Sequence, residues 1–331
     1  MEPVQMSKEP KGFIDLHLHL DGAITPQIAK RLCEVQKISL GLTEGQLESS
    51  LTVGEDCKNL NDFLRCFELP LALLQTETGI ETAVYEVLCE QKRQGAVYAE
   101  VRFAPQLHGE KGLTQRKVIN AALKGLEKSD IPSNFILCMM RGKENDRQNS
   151  ETLDLCEKYL TKEQGVAALD LAGAEGLFPT GDYTEIFAEA KRRKIPFTVH
   201  AGEAGGAEDV ILAVNAGASR IGHGVRAAQS EKAVKLLRDS GVTLEMCPTS
   251  NRLTGACDMK NYPLRFFAET GVGVTVNTDD PAIERTSIKR EFEYASELCA
   301  LDGSFRAELL KNAVRAAFCS DGIKGELLKK L

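Results

Sequence analysis

The chain alternates between short apolar runs and stretches with helical spacing, and this alternation constrains the fold more than any other feature. The apolar runs cover residues 12–19, 97–104, 134–140, 166–171, 196–200, 220–222, 242–247 and 273–277. Between them, apolar residues recur three and four positions apart at residues 25–36, 79–94, 114–128, 151–164, 183–193, 207–215, 230–239 and 262–269. Eight strand–helix units in succession are typical of a TIM (β/α)₈ barrel, an α/β fold.

The domain organisation follows from what surrounds these units. Two further helices, at residues 287–299 and 306–318, follow the eighth unit. A chain of 331 residues can form one large domain or two ordinary ones, but its composition does not change along its length. We therefore predict one barrel domain over residues 1–331. Residues 1–11 would form a flexible tail, and additional helices would lie over the C-terminal face of the strands.

A doubly wound nucleotide-binding sheet is the competing architecture. It should carry a Gly-x-Gly-x-x-Gly turn directly after the first strand. The first strand here ends in His-x-His-Leu-Asp-Gly instead. A glycine-rich turn with Gly202, Gly205 and Gly206 does follow the fifth strand, but the histidine and carboxylate beside it do not suit a phosphate cradle.

Composition and charge exclude several classes of partner. The net charge is −7, and the longest cationic run is residues 191–194 at a predicted helix end, which disfavours nucleic acid as a main partner. The N-terminal residues are polar, and no apolar run approaches the ~20 residues that span a bilayer. Ten cysteines without a Cys-x-x-Cys pair lie scattered in apolar segments, as in a reduced protein. We expect a cytoplasmic protein without a membrane partner.

The connection after the first unit is unusually long. Within residues 41–74, one apolar helix face is predicted from residues three and four positions apart, namely Leu60, Phe63, Leu64, Phe67, Leu71 and Leu74. The helix could pack on the barrel, or it could form a lid with Phe63 and Phe67 facing a ligand. One helix can do both.

Two of the five histidines, His17 and His19, stand two residues apart in the first strand. Because a strand points alternate side chains to opposite faces, these two imidazoles share one face. They would supply half of a transition-metal site, or they could be two core histidines that are satisfied by hydrogen bonds.

Polar residues gather at the C-terminal ends of the predicted strands, where active sites of TIM barrels form. They comprise His17, His19, Asp21, Glu100, Arg102, residues 170–175, His200, Glu203, His223, residues 247–251 and residues 277–281. Four of the five histidines lie at these ends, and we expect the fifth, His108, to be a surface residue. Buried charges need partners or a metal, and three imidazoles with a carboxylate around one cation would satisfy most of them.

The motifs at these ends resemble those of the adenosine deaminase family of metal-dependent hydrolases. They stand in the family's order and cover nearly the whole chain: residues 17–22, 170–175, 200–203, 222–224, 247–251 and 277–281. The resemblance implies zinc-dependent hydrolytic deamination of adenosine, and of 2′-deoxyadenosine, to inosine and ammonia in purine salvage.

The resemblance also implies a metal site. His17, His19, His200 and Asp279 would bind one Zn²⁺, with an open position for water. A single ion is expected because the fourth strand lacks the lysine that bridges two metals in related hydrolases.

Three residues of these motifs would carry out the catalysis. By the resemblance, Glu203 would protonate N1 of the purine. His223 would either take the proton of the attacking water or hold the hydroxide electrostatically. Asp280 would orient the water and contact N7.

Other residues would bind the substrate. The resemblance places the Gly173 N–H at N3 and the Asp21 carboxylate at a ribose hydroxyl. His19 and Asp280 would also contact the substrate, and Phe63 and Phe67 would face it from the long connection. The expected partner is a small purine nucleoside, and the oligomeric state is left open.

Two alternatives remain. A deaminase of adenine or of a modified adenosine would use the same barrel, although Asp21 argues for a nucleoside because relatives that act on free adenine tend to carry glutamate there. AMP is disfavoured because Asp21 would repel its phosphate. A non-catalytic barrel that binds a purine or a protein would predict a damaged site, whereas the full set of candidate residues is present here.

Overall fold

The computed structural model describes residues 11–54, 63 and 65–331. Its strands are β1 Phe13–His19, β2 Ala96–Phe103, β3 Ser133–Met140, β4 Gly165–Ala172, β5 Thr198–Ala201, β6 Arg220–His223, β7 Thr243–Met246 and β8 Gly273–Val276. Each apolar run that predicts a strand forms one, with bounds that differ by at most two residues. The single domain over residues 1–331 stays a prediction, and only Lys11 of the predicted tail is described.

The strands pair in parallel and in chain order. One sheet has the order β1–β2–β3–β4 and the other β5–β6–β7–β8. Parallel bridges join the two sheets, between Leu169 and Phe197 and between Leu18 and Asp279. A ring of eight parallel strands is the TIM barrel that the sequence predicts, and all carboxyl ends lie at one face.

Fourteen α-helices have both ends within the described residues, and they connect and cover the strands. They are α1 Pro26–Gln36, α2 Glu44–Leu51, α3 Glu68–Leu73, α4 Glu77–Arg93, α5 Gln115–Glu127, α6 Asp146–Tyr159, α7 Thr184–Arg192, α8 Ala207–Ala216, α9 Glu231–Ser240, α10 Pro248–Leu253, α11 Leu264–Glu269, α12 Ile288–Cys299, α13 Gly303–Ala316 and α14 Asp321–Lys330. None of them is long and apolar enough to cross a membrane. The sequence did not predict α2, α10 or α14.

The predicted bounds of one helix were wrong. The helix expected over residues 151–164 is α6, which begins at Asp146 and ends at Tyr159. Its first turn is polar, but Asn149 is buried and bonds to both backbone groups of Met140, which fixes this turn against β3. Leu160, predicted to be helical, instead forms a parallel bridge with Val166.

The apolar face predicted in the long connection is confirmed only in part. Leu74 is buried as expected, whereas Leu71 is only half-buried and Leu73 is buried in its place. A 3₁₀ turn at Arg65–Phe67 precedes α3, and its three residues per turn shift the phase of the apolar face. Two members of the predicted face lie outside the described residues, Leu60 and Leu64.

Candidate metal centre and active site

Four nitrogen and oxygen atoms converge at the carboxyl ends of the strands. The Nε2 atoms of His17 and His19, both on β1, lie 3.1 and 3.2 Å from Asp279 Oδ1. The same two atoms lie 3.1 and 3.2 Å from Nε2 of His200, at the end of β5. The backbone holds these elements together, because the Asp279 N–H donates to His17 O at 2.8 Å and the His19 N–H donates to Asp279 O at 2.9 Å.

The donor set fits a divalent transition metal. A regular tetrahedron with edges of ~3.2 Å has its corners ~2 Å from its centre, which is the Zn–N distance. Three imidazoles and one carboxylate are ligands that zinc prefers. His223 approaches the same centre, since donor atoms of His17, His200, His223 and Asp279 all lie within 4.8 Å of one another. The chain therefore contains a buried His/Asp cluster that can hold a metal ion.

The charge of this cluster also calls for a cation. Burial and the negative charge of Asp279 raise the pKa of Asp280 well above its ordinary value, and Glu284 shows the same effect. Burial by itself would lower the pKa of His19, but the carboxylates of Asp279 and Asp280 raise it to about 9. The raised pKa values of Asp280, Glu284 and His19 all reflect excess negative charge in a buried space, which a bound cation would offset.

A buried network behind the cluster orients two of the imidazoles. Glu245 Oε2 lies 2.8 Å from His17 Nδ1, and Asp170 Oδ2 lies 2.9 Å from His200 Nδ1. Arg102 bridges the two carboxylates, at 2.7 Å from Glu245 and 2.9 Å from Asp170. A carboxylate at Nδ1 keeps the proton on that nitrogen and leaves Nε2 free to bind a metal.

The sequence did not reveal this network. It placed Arg102 and Asp170 at strand ends without a role, and it did not single out Glu245 within β7. The available signal is a charged residue inside an apolar strand, because such a charge must find a partner in the barrel interior. Burial lowers the pKa of His200 to about 3 in spite of Asp170, so the ring is neutral, the form in which an imidazole can bind a metal.

His223 is oriented from its other side. The Nδ2 amide of Asn251 lies 3.0 Å from His223 Nδ1, and the Tyr262 hydroxyl donates to Asn251 Oδ1 at 3.0 Å. With its amide fixed in this way, Asn251 donates to Nδ1, and the neutral ring carries its proton on Nε2. His223 and Asp279 both adopt left-handed backbone, with φ of 61° and 68°. Neither Asn251 nor Tyr262 was given a role from the sequence.

Comparison with known proteins decides the family. The family model described as adenosine deaminase matches residues 10–331. The chain belongs to the adenosine deaminase family. An adenosine deaminase of Haemophilus ducreyi is 44% identical over 325 residues, which are 96% of this chain and 94% of that protein. The family predicted from the motifs is confirmed.

Solved structures support the fold of this adenosine deaminase family chain. The adenine deaminase from Arthrobacter aurescens matches with a TM-score of 0.82 at 26% identity, over 96% of this chain and 97% of that chain. An arabidopsis ADAL structure complexed with IMP matches with a TM-score of 0.81 at 21% identity, over 96% of this chain and 94% of that one. The predicted barrel class is confirmed.

The predicted proton donor of this family member, Glu203, lies beside the buried His/Asp cluster. Oε2 of Glu203 is 3.6 Å from His223 Nε2, and the same ring nitrogen is 3.6 Å from Asp279 Oδ2. Oε1 of Glu203 accepts a hydrogen bond from the Thr254 hydroxyl, just after α10, at 3.1 Å. The Glu203 side chain is 22% exposed, so it faces the open side of the centre.

The predicted substrate residues Asp21 and Gly173 lie just after β1 and β4, at the carboxyl ends of the strands. Gly173 follows β4 with a φ of +102°, and a Cβ there would lie 3.4 Å from Arg141 N. Asp21 begins a short 3₁₀ helix, Asp21–Ala23. Gly22 packs so closely on Asp280 that a Cβ would lie 1.8 Å from Asp280 Oδ1.

Phe63 and Phe67 form an apolar cluster at the same end of the barrel. Their ring centroids are 5.8 Å apart, and the cluster includes Val53 and Ile283. Because Ile283 follows Asp280 by three residues, the cluster lies next to the loop after β8 that contains Asp279 and Asp280. That these rings face a ligand stays a prediction.

The prediction of His108 as a surface residue was wrong. Its side chain is buried, and its ring centroid lies 6.2 Å from that of Phe103. The 3₁₀ helix Pro105–His108 turns the ring inward, and burial lowers its pKa.

Proposed function

We propose that the protein catalyses the hydrolytic, zinc-dependent deamination of adenosine and 2′-deoxyadenosine to inosine and ammonia, a step of purine salvage. The observation that carries this proposal is the convergence of His17, His19, His200 and Asp279 beside Glu203 in a chain of the adenosine deaminase family. The 44% identity to an adenosine deaminase over nearly the whole chain supports the reaction.

The metal site is proposed to hold one zinc ion per subunit. His17, His19, His200 and Asp279 would be its ligands, and their spacing supports a tetrahedral ion. When bound, the ion would supply Lewis acidity that activates water near neutral pH.

Protein residues would handle the proton transfers. Water adds to C6 of the purine, and Glu203 gives its proton to N1 so that the ring can accept the electrons. The proton that the water loses replaces the one that Glu203 gave to N1. The proton of the resulting C6 hydroxyl passes to the amino group, and the C6–N bond breaks to release ammonia. The Asn251 contact supports a neutral His223 whose Nε2–H donates to the attacking oxygen, the second of the two roles considered for this ring. Asp280, held against Gly22, would orient that oxygen and contact N7.

The substrate would be fixed on its other edges. We propose that the Gly173 N–H binds N3, at a position where the φ of +102° disfavours any residue with a side chain. The Asp21 carboxylate would accept a hydrogen bond from the ribose, and His19 would contact the nucleoside beside it. Phe63 and Phe67 would cover the base.

The alternative substrates are adenine and a modified adenosine. The relative described as an adenine deaminase is 26% identical, whereas the one described as an adenosine deaminase is 44% identical, which favours the nucleoside. Initial rates on adenosine, 2′-deoxyadenosine, adenine and AMP would separate these substrates. The cytoplasm is the proposed location, in keeping with the free thiols of the cysteines in the described part of the chain.

The test follows ammonia release from adenosine on purified protein alongside elemental analysis. A chelator should abolish turnover, and added zinc should restore it. His200→Ala should lose the metal. Glu203→Gln should keep it and lower kcat by about 10²–10⁴-fold, the usual contribution of a positioned proton donor. Glu208→Gln, an exposed glutamate nearby, is the matched control and should keep full activity.

Two results would contradict the proposal. A zinc-loaded, folded protein that releases no ammonia from adenosine would favour a purine-binding module. Undiminished turnover by Glu203→Gln would remove Glu203 from the role of acid.

A further inference from the structure

The turn after β5 forms a cradle of backbone donors. The N–H groups of Gly202, Glu203, Ala204 and Gly205 all donate to the carboxylate of Glu175, at 2.6, 3.1, 2.8 and 2.8 Å. Successive N–H groups that converge on one point make an anion-binding nest. Here the anion is the chain's own carboxylate, so the backbone donors of this glycine-rich turn are already occupied.

The glycines of this turn are needed for its close packing. Gly202 has a φ of +72°, and a Cβ there would lie 2.6 Å from Val210 Cγ2. At Gly205 a Cβ would lie 2.5 Å from Glu175 Oε1. The backbone of this turn therefore lies directly against the Glu175 carboxylate, and side chains at these two positions would push the two apart.

Glu175 connects this turn to the loop after β4. Its side chain is buried, and the hydrogen bonds to an ionised acceptor are stronger than those between neutral groups. Arg141 joins the loop after β4 to the end of β5, since it donates to Phe178 O at 2.6 Å and to His200 O at 2.6 Å. The loops after β4 and β5 thus form one hydrogen-bonded unit.

We infer that Glu175 is a positioning residue for Glu203: it fixes the backbone of residues 202–205 and thereby sets where the Glu203 carboxyl meets the purine. The inference rests on the proposed function, which makes Glu203 the donor of the proton to N1. These backbone contacts matter because the Glu203 side chain is partly exposed. Its carboxylate accepts a hydrogen bond from Thr254, which follows β7 and α10 and so belongs to neither of these two loops.

Glu175→Gln tests the inference with little change in volume. Glutamine offers one acceptor oxygen, and its amide group would face an N–H of the cradle. A misplacement of about 1 Å can cost about 10²-fold, so we expect kcat to fall about 10²-fold while KM stays within about threefold. The metal content should not change, because no ligand of the proposed metal bonds to Glu175 in the structure.

A double-mutant cycle separates positioning from general destabilisation. If Glu175 acts through Glu203, the double variant Glu175→Gln/Glu203→Gln should be no slower than Glu203→Gln alone. Additive losses in kcat would overturn the inference, since they would mean that Glu175 acts independently of the acid.

Amide hydrogen exchange gives a readout that needs no substrate. Glu175→Gln should lower the protection of the amides of residues 202–205 by about tenfold or more. Asp209→Asn is the matched control, because Asp209 accepts backbone N–H groups of Thr180 and Gly206 at the same corner and should leave residues 202–205 and kcat unchanged. Unchanged exchange in Glu175→Gln would overturn the inference, whereas an unsubstituted protein without turnover would overturn only the proposed function.

Discussion

Glu245 is the residue whose replacement tests the oriented imidazoles most directly. Its Oε2 is bonded to His17 Nδ1 and to Arg102, and its Oε1 accepts from Thr198 at 2.9 Å and from Arg220 at 2.6 Å. Glu245→Gln keeps the shape but replaces one acceptor by a donor. Whichever way the amide turns, its NH₂ group faces a donor, and the buried arginines lose a shared negative charge.

The expected loss of stability follows from the ion pairs that the two arginines keep. Arg102 keeps Asp170, and Arg220 keeps Glu100 at 2.6 Å. Breaking a buried pair costs about 3–5 kcal/mol, so with both arginines still paired we expect the lower end, about 3 kcal/mol. At about 2.1 cal/mol/K of unfolding entropy per residue, this lowers the Tm of a 331-residue chain by about 4 °C. Loss of a partner behind a ligand weakens metal affinity by about 10–100-fold.

The assay separates these two effects. Thermal unfolding of metal-free protein gives the change in Tm, and competition with a chelator gives the metal affinity. Glu189→Gln, which removes a partly exposed partner of Arg192 and Arg193, is the control and should change neither. A Glu245→Gln protein that binds metal as tightly as the unsubstituted one would refute the reasoning that Glu245 orients His17.

Two further predictions concern packing and pH. Gly22→Ala should displace Asp280 and lower kcat/KM, measured on adenosine, whereas Gly45→Ala, where a Cβ meets nothing within 4 Å, should leave it unchanged. Burial raises the pKa of Glu291 from 4.5 to about 7. The folded protein therefore keeps a proton there that the unfolded chain releases, and stability should fall as pH rises from about 5 to 8. Denaturant unfolding at both pH values should show a smaller fall in Glu291→Gln; an equal fall would contradict the assignment.

The strands and the histidines of the buried cluster could be predicted because their signals are local. The sequence shows that His17 and His19 stand two residues apart in β1 and therefore share one face of the strand. Parallel strands bring their carboxyl ends together whatever the details of packing. Asp279 follows the eighth apolar run by two residues, and its role as a metal ligand was predicted from the resemblance to the adenosine deaminase family.

The residues behind the ligands could not be predicted in the same way. Arg102 meets Asp170 and Glu245 only because barrel closure brings β2, β4 and β7 around one interior, and nothing local pairs them. The burial of His108 likewise depends on a loop turning inward. The first turn of α6 is polar, so the spacing of apolar residues does not reveal that it is helical. The contact of Asn149 with β3 holds this turn in place.

The left-handed backbone at His223 and Asp279 has a consequence for engineering. Such a conformation at a residue other than glycine costs about 1 kcal/mol or more, so glycine at either position would relax the chain. Selection of a variant library for heat resistance alone would therefore favour glycine at these two positions. Such variants would be more stable but would lack the His223 and Asp279 side chains. Selection for a more heat-stable enzyme therefore has to measure product formation in every round.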